Sequence, residues 1–402
     1  MSLGGEKSFK MKLRDMENAF KYRRIPYPKR SIELIAILAI SCTFFLFMHT
    51  NKLNSRLKEM EIKLQPSEFS ALGLTGNQLN TRESSRRDNI NTLHGTYQYL
   101  KSTGQLHSLS TTSLNNTRKA DMDILFFNRC AKVGSESMIQ LLGNLEKMNE
   151  FKLDHLGPHK GAKRNLNPKE QERVAHYVFR LGAGSAYVEH IAWIDFYNFG
   201  LPKPIYINLV RDPVERVISW YFYSRNSYKN AIMFRKLPNT HLNSAVWFKK
   251  DYNECVRSGD PECQYVPYTF VDPTANFKRQ SLFFCGQNLD CIPFDSPYAI
   301  QLAKDRVERE YAVVGSWEET NVTLTVLENY IPRFFRGAMN VYYLNKATLE
   351  NRNRNNRKPY VAEDVKQMIR KNFTNEYDFY YFCKQRLFKQ YLALNHKEFP
   401  IN

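Results

Sequence analysis

The sequence predicts an α/β domain with a parallel central sheet flanked by helices, preceded by a tail, a transmembrane helix and a stem. Three observations carry this reading. Apolar strand-like runs lie at Ile124 to Phe127, Tyr187 to Ile191, Ile205 to Val210 and Ala312 to Val314, and the first is continuous, the pattern of a strand buried on both faces. They alternate with helical periodicity at Glu170 to Phe179, Val214 to Tyr223, Tyr298 to Val307 and Thr323 to Phe335, and such alternation argues parallel pairing. The stretch from Asp121 to Asn402, residues 121–402, is long enough to close one large core.

In chain order, the first thirty residues carry nine Lys and Arg against Glu6, Asp15 and Glu17, a net of +6. Residues 1–31 read as a cytosolic tail. The apolar run Leu34 to Met48, extended back to Ile32 across Glu33, spans about 25 Å at about 1.5 Å per residue. That length suits a thin early-secretory bilayer with snorkelling flanks, and residues 32–49 read as a transmembrane signal anchor. The exit sequence Met48-His49-Thr50-Asn51-Lys52 has no small-x-small cleavage pattern. With the positive flank inside, the remainder is lumenal, a single-pass type II arrangement. Residues 50–120 are polar and read as a lumenal stem.

The loop after the first strand, Arg129 to Ser137, holds two cations, a Gly and two hydroxyls where a helix begins, as Met138, Ile139, Leu141, Leu142 and Leu145 recur at helical spacing. A helix N-terminus offers unpaired N–H groups and partial positive charge, a natural seat for phosphate or sulfate. No Gly-Lys-Ser/Thr is present, so the loop is not a Walker A motif. The plainer reading is a turn with Ser135 as helix cap and a solvated Lys132. A second stretch, Ile205 to Tyr221, ends its strand at Arg211-Asp212-Pro213 and places Ser219 two helical turns on. Arg211 can grip a phosphate in bidentate fashion and Ser219 can add a hydroxyl; alternatively Arg211 pairs with Asp212 or Glu215.

Cys255 with Cys263 and Cys285 with Cys291 are tight local pairs, expected as disulfides in an oxidising compartment, leaving Cys130 and Cys383 as free thiols. Zinc spacings are missing, and no metal is expected. Asn115, Asn321 and Asn372 open N-glycosylation sequons. The formal charge of +18, less the tail, leaves +12 for the rest, which suits an anionic polysaccharide or glycoprotein acceptor; a lumenal domain does not meet nucleic acid. Candidate acceptor cations are Lys160, Lys163, Arg225, Lys229, Arg235 and Lys236.

Taken together, Arg129-x-x-Lys132-x-Gly134-Ser135-x-Ser137 and Arg211 with Ser219 resemble the 5′-phosphosulfate loop and 3′-phosphate site of Golgi sulfotransferases. Those enzymes have a P-loop-like fold and use 3′-phosphoadenosine 5′-phosphosulfate. Glu189-His190-Ile-Ala-Trp-Ile-Asp195-Phe-x3-Gly200, with Cys255…Cys263 and Phe283-Phe284-Cys285-Gly286…Cys291, is similar to the uronyl and heparan sulfate 2-O-sulfotransferases over Asp121 to about Leu394. The segment Tyr22 to Arg30 is similar to that of an insect branch acting in dorsoventral patterning.

The resemblance implies roles. Lys132 contacts the bridging oxygen of the donor. Gly134, Ser135, Glu136 and Ser137 cradle the 5′-phosphate, with Arg129 and Val133 in the same cofactor-binding loop. Arg211 and Ser219 hold the 3′-phosphate, and His190 is the catalytic base. The segment Asn351 to Lys358 closes over the nucleotide, and a homo-oligomer is compatible. Cys130 stands where the family often has Pro or Gly, and Val188 where the heparan enzyme has a second His. The chemistry suits these residues, since sulfuryl transfer needs charge at the leaving oxygen and a base for a sugar hydroxyl. Two other readings are a kinase-like phosphotransferase, disfavoured because ATP has no 3′-phosphate, and a catalytically silent lectin-like Golgi protein.

Overall fold

Four short, largely apolar segments buried on both faces, and a three-residue edge strand, form one sheet. The computed structural model describes residue 48 and residues 91–155, 157–158, 165–236, 243–269, 278–351 and 358–395. The tail, the anchor segment but for Met48, the early stem, Lys160, Lys163 and most of Asn351 to Lys358 lie outside the described residues. Among those described, no helix is long and apolar enough to cross a membrane. The chain divides into two units, Met1–Asn80 and Thr81–Asn402, and the elements below belong to the second.

They run in order α1 (Leu93–Ser102), β1 (Ile124–Asn128), α2 (Ser135–Glu146), β2 (Lys152–Asp154), α3 (Pro168–Leu181), β3 (Ser185–Glu189), β4 (Ile205–Leu209), α4 (Pro213–Ser224), α5 (Ser227–Lys236), α6 (Pro297–Arg309), β5 (Tyr311–Gly315), α7 (Thr320–Tyr330) and α8 (Thr374–Asn395), with short helices between. The sheet order is β2-β3-β1-β4-β5 and every pairing is parallel. Its centre is aromatic: the Phe126 ring lies 5.1 Å from Tyr206 and 5.2 Å from Tyr187, and Tyr206 lies 5.5 Å from Tyr311. Such rings contribute area and specific geometry together.

Helix starts follow local chemistry. Asn167 and Glu170 form a capping box on α3, while Asp212 and Ser296 cap α4 and α6 ahead of Pro213 and Pro297.

Three expectations need correction, and two elements are additions. The strand expected at Tyr187 to Ile191 is Ser185–Glu189, so His190 is the first residue beyond it. The helix expected over Thr323 to Phe335 is broken at Ile331, because Pro332 cannot donate into a continuing helix and starts a new turn, Pro332–Phe335. The edge strand β2 and the long helix α8 were not anticipated. β2 has only three residues, and the buried residues of α8 surround its axis instead of forming a stripe. Finally, the stem does not extend to residue 120: Leu100 on α1 packs with Leu106 and Leu392, and Asn116 donates to the carbonyls of Glu308 and Tyr311 at 2.7 and 2.9 Å.

Candidate active site

The strand order reverses between β1 and β4, and parallel sheets bind ligands at the carboxyl ends beside such a reversal. Two fully enclosed asparagines set the loop that leaves β1. Asn208 donates to the Asn128 carbonyl at 2.7 Å and accepts from the Cys130 N–H at 3.2 Å. Asn128 donates to the Phe283 carbonyl at 2.9 Å and accepts from the Tyr311 hydroxyl at 3.0 Å. A loop pinned at its first residue then turns through Lys132 (φ 65°) and Gly134 (φ 85°).

Gly134 occupies the cap position of α2, and no side chain caps that helix. Ser135 is the first helical residue, not the cap, which corrects the plainer reading. The Trp317 Nε1–H donates to the Gly134 carbonyl at 2.8 Å, and a Cβ at position 134 would stand 2.2 Å from Trp317 Cδ1. Only glycine fits both the left-handed turn and the indole. Trp317 in turn stacks on Tyr342 with ring centroids 5.2 Å apart.

Cations converge on this loop. The Lys132 Nζ lies 3.9 Å from the Tyr223 ring centroid and the Lys229 Nζ 4.0 Å from the same centroid. Burial, then the charges of Lys229 and Arg211, bring the Lys132 ammonium down to about 8, against a smaller opposing pull from Glu136. Arg211 is fixed through its backbone: its N–H donates to Gln280 Oε1 at 3.1 Å and its carbonyl accepts from Gln280 Nε2 at 2.9 Å. Gln280 is held by buried Glu376, whose Oε2 accepts the Gln280 N–H at 3.0 Å.

The Arg211 guanidinium donates to the Lys132 carbonyl at 3.3 Å and only grazes Glu215 at 4.0 Å. Glu215 is taken by Lys358 and Lys366, at 2.9 and 3.0 Å, and Asp212 by the Tyr377 hydroxyl at 2.8 Å. Neither acid therefore neutralises Arg211. Ser219 is buried on α4, and Arg216 on the same helix is wholly enclosed, with Nε and Nη2 lacking hydrogen-bond partners among the described residues.

His190 arrives from the other side of β1. Because β1 and β3 pair in register, the Arg129 N–H donates to the Glu189 carbonyl at 2.9 Å, and His190 follows at once. Its Nδ1 lies 2.9 Å from the Arg129 carbonyl. A carbonyl only accepts, so Nδ1 carries the proton in the neutral ring and the basic lone pair is on Nε2. Glu189 accepts the His190 backbone N–H at 2.8 Å, while the ring Nδ1 meets the Arg129 carbonyl.

A cleft of about 490 Å³ brings together Arg129, Lys132, Gly134, Ser135, Glu136 and His190, with Ala131, Trp220 and Tyr223. Val133, Ser137, Arg211 and Ser219 do not line it. Val133 is buried, and the Ser137 hydroxyl donates to the Leu349 carbonyl at 2.9 Å. Arg129 is ion-paired with Glu136.

Sequence reasoning missed the supports Asn128, Asn208, Gln280, Trp317 and Tyr223. Asn128 carried a signal as the polar residue closing an apolar run, and Asn208 as the one polar residue within another. Arg225 is corrected: it is a buried strut, paired with Glu262 at 2.6 Å and stacked on Tyr221 and Trp247, not an acceptor cation. Its partner lies in the loop closed by Cys255–Cys263; Cys285–Cys291 closes the second loop, and Cys130 and Cys383 are buried thiols. Of the sequon asparagines, Asn321 and Asn372 are exposed and Asn115 is half-buried.

The comparisons agree with this architecture. The sulfotransferase family model matches residues 115–383, and the chain belongs to that family. Within it, the chain is 44% identical to the uronyl 2-sulfotransferase homolog pip of Drosophila melanogaster, across 98% of this chain and 96% of that protein. It is 29% identical to heparan sulfate 2-O-sulfotransferase 1 of Xenopus laevis over 70% of the chain and 76% of that protein. Against uronyl 2-sulfotransferase of Mus musculus the identity is 27%, over 67% of this chain and 63% of that one. The chain is thus an enzyme of the 2-O-sulfotransferase branch.

Proposed function

We propose that this enzyme moves a sulfuryl group from 3′-phosphoadenosine 5′-phosphosulfate to the 2-hydroxyl of a uronic acid in a glycosaminoglycan or secreted glycoprotein. One observation carries the proposal: His190, with its basic lone pair on Nε2, shares a cleft with Lys132 at the end of a helix that no side chain caps. The residues fit the donor. Lys132 is depressed by burial first and then by neighbouring cations whose effect an anion would offset, and the Arg211 guanidinium lies no closer than 4.0 Å to Glu215. Arg216 has unmatched buried N–H groups behind the loop. Gly134 and Ser135 with the α2 N-terminus would hold the 5′-phosphate, and Arg211 and Ser219 the 3′-phosphate.

The donor, when bound, supplies the sulfuryl group. His190 takes the acceptor hydroxyl proton at Nε2, and the Arg129 carbonyl keeps the ring oriented and favours the imidazolium that results. Lys132 places positive charge where the leaving oxygen gains negative charge. The basic balance of the chain favours a polyanionic acceptor. By the same proposal the enzyme resides in the Golgi membrane through residues 32–49, with its catalytic domain lumenal and sequons Asn115, Asn321 and Asn372 open to glycosylation.

The test is a turnover assay of the solubilised full chain with labelled donor and a panel of glycosaminoglycans, beside calorimetry with adenosine 3′,5′-bisphosphate. His190→Ala is expected to lose about 10²- to 10⁴-fold in turnover with nucleotide affinity nearly unchanged. A folded His190→Ala chain that turns over at the parent rate removes His190 from the mechanism. A parent that binds glycan but never transfers sulfate returns the reading to a lectin-like protein.

A further inference from the structure

The two ammonium groups on one aromatic ring are not used in full by the mechanism above. Tyr223, on the cleft wall with Lys132 and His190, holds the Nζ of Lys132 at 3.9 Å and of Lys229 at 4.0 Å from its centroid. An aromatic face attracts a cation without neutralising it, so each ammonium keeps its charge for an anion. Glu136, the acid whose field reaches both, is itself ion-paired with Arg129. Among the described residues no carboxylate forms an ion pair with either ammonium.

Lys229 is not a loose surface side chain. The first turn of α5 is tied to the end of α4, since the Lys229 N–H donates to Asn226 Oδ1 at 3.0 Å and Asn230 Nδ2 to the Ser224 carbonyl at 2.7 Å. Its side chain is half-buried, and burial holds its ammonium below the usual lysine range. A half-buried cation held near a second cation is unfavourable by itself, and negative charge brought close to both offsets that cost.

We propose that Lys229 is a second catalytic cation, which binds the sulfuryl group itself, and that Tyr223 is the positioning residue that holds it beside Lys132. This rests on the donor assignment made above and adds a role that assignment does not contain. In the transfer, a bond forms between the acceptor oxygen and sulfur while the bond from sulfur to the 5′-phosphate oxygen breaks. The acceptor proton goes to His190 Nε2, and the electron pair of the broken bond stays on the phosphate oxygen beside Lys132. The sulfuryl oxygens carry negative charge throughout, and Lys229, 4.0 Å from the ring centroid of the cleft-lining Tyr223, is the ammonium assigned to meet them.

The two nucleotides separate the roles, because adenosine 3′,5′-bisphosphate lacks the sulfuryl group. Calorimetry without acceptor, using the full chain, is expected to show Lys229→Met weakening the phosphosulfate donor about tenfold and the bisphosphate less than about twofold, with turnover falling about 10²-fold. Lys229→Arg should restore most of the donor affinity. Tyr223→Phe, which keeps the ring, should behave as the parent in donor binding, and Tyr223→Leu as Lys229→Met. An equal loss for both nucleotides, or none for either, overturns the role of Lys229 while leaving the donor assignment standing. A parent that binds neither nucleotide overturns that assignment, and this inference with it.

Discussion

At the residue scale, the site is built from groups whose ordinary properties are altered by their neighbours. Lys132 is the clearest case, brought to about 8 by burial first and by Lys229 and Arg211 next. In the unliganded chain the folded state holds fewer protons than the unfolded state between about 8 and the ordinary lysine value of 10.5, so across that window this group stabilises the fold as pH rises. Anion binding works in the opposite direction. A bound phosphate favours the ammonium, so binding of adenosine 3′,5′-bisphosphate near pH 8 is expected to take up protons, and affinity should fall as pH rises further. Calorimetry in two buffers of different ionisation enthalpy measures that uptake; its absence would mean that Lys132 does not face the nucleotide. His190 shows a subtler effect, because the Arg129 carbonyl at its Nδ1 sets its tautomer.

At the element scale, two parallel pairings around β1 make the site. β4 brings Arg211 to the loop after β1, and β3 brings His190 to its other side. The short register Asn128↔Glu189 is what sets His190 against the Arg129 carbonyl. Helix α1 is an addition to this frame, joined to α8 through Leu100 and Leu392. Leu100 is fully buried, so Leu100→Ala should cost about 2–5 kcal/mol of stability through lost burial and the cavity left behind. Chemical denaturation of the parent and variant would read this as a lower midpoint. An unchanged midpoint would make α1 a part of the stem after all.

At the scale of the whole molecule, charge takes over. With +18 overall and +12 beyond the tail, binding of a polyanionic acceptor should weaken steeply as salt is raised. Acceptor KM measured from about 0.05 to 0.3 M salt would follow this, since exposed charges separated by more than about 10 Å are screened at 0.1 M. A flat profile would point to recognition by uncharged contacts.

By itself the sequence determined the parallel α/β class, four of the five strands, the strand-to-helix loop after the first of them and the two short cysteine pairings, and it singled out Arg211 and His190 as candidates. Each is a local pattern: an apolar run, a strand-to-helix loop or a spacing within one segment. Only the tertiary structure decided which of these meet. That Arg129 holds the His190 ring, that Trp317 excludes a side chain at Gly134, and that Gln280 and Glu376 pin Arg211 depend on contacts between residues far apart in the chain. It also turned Arg225 from a candidate ligand into a strut and set Lys229 on the ring of Tyr223. The physical reason is that a cation's role depends on what surrounds it, and packing decides whether that is a carboxylate or an aromatic face.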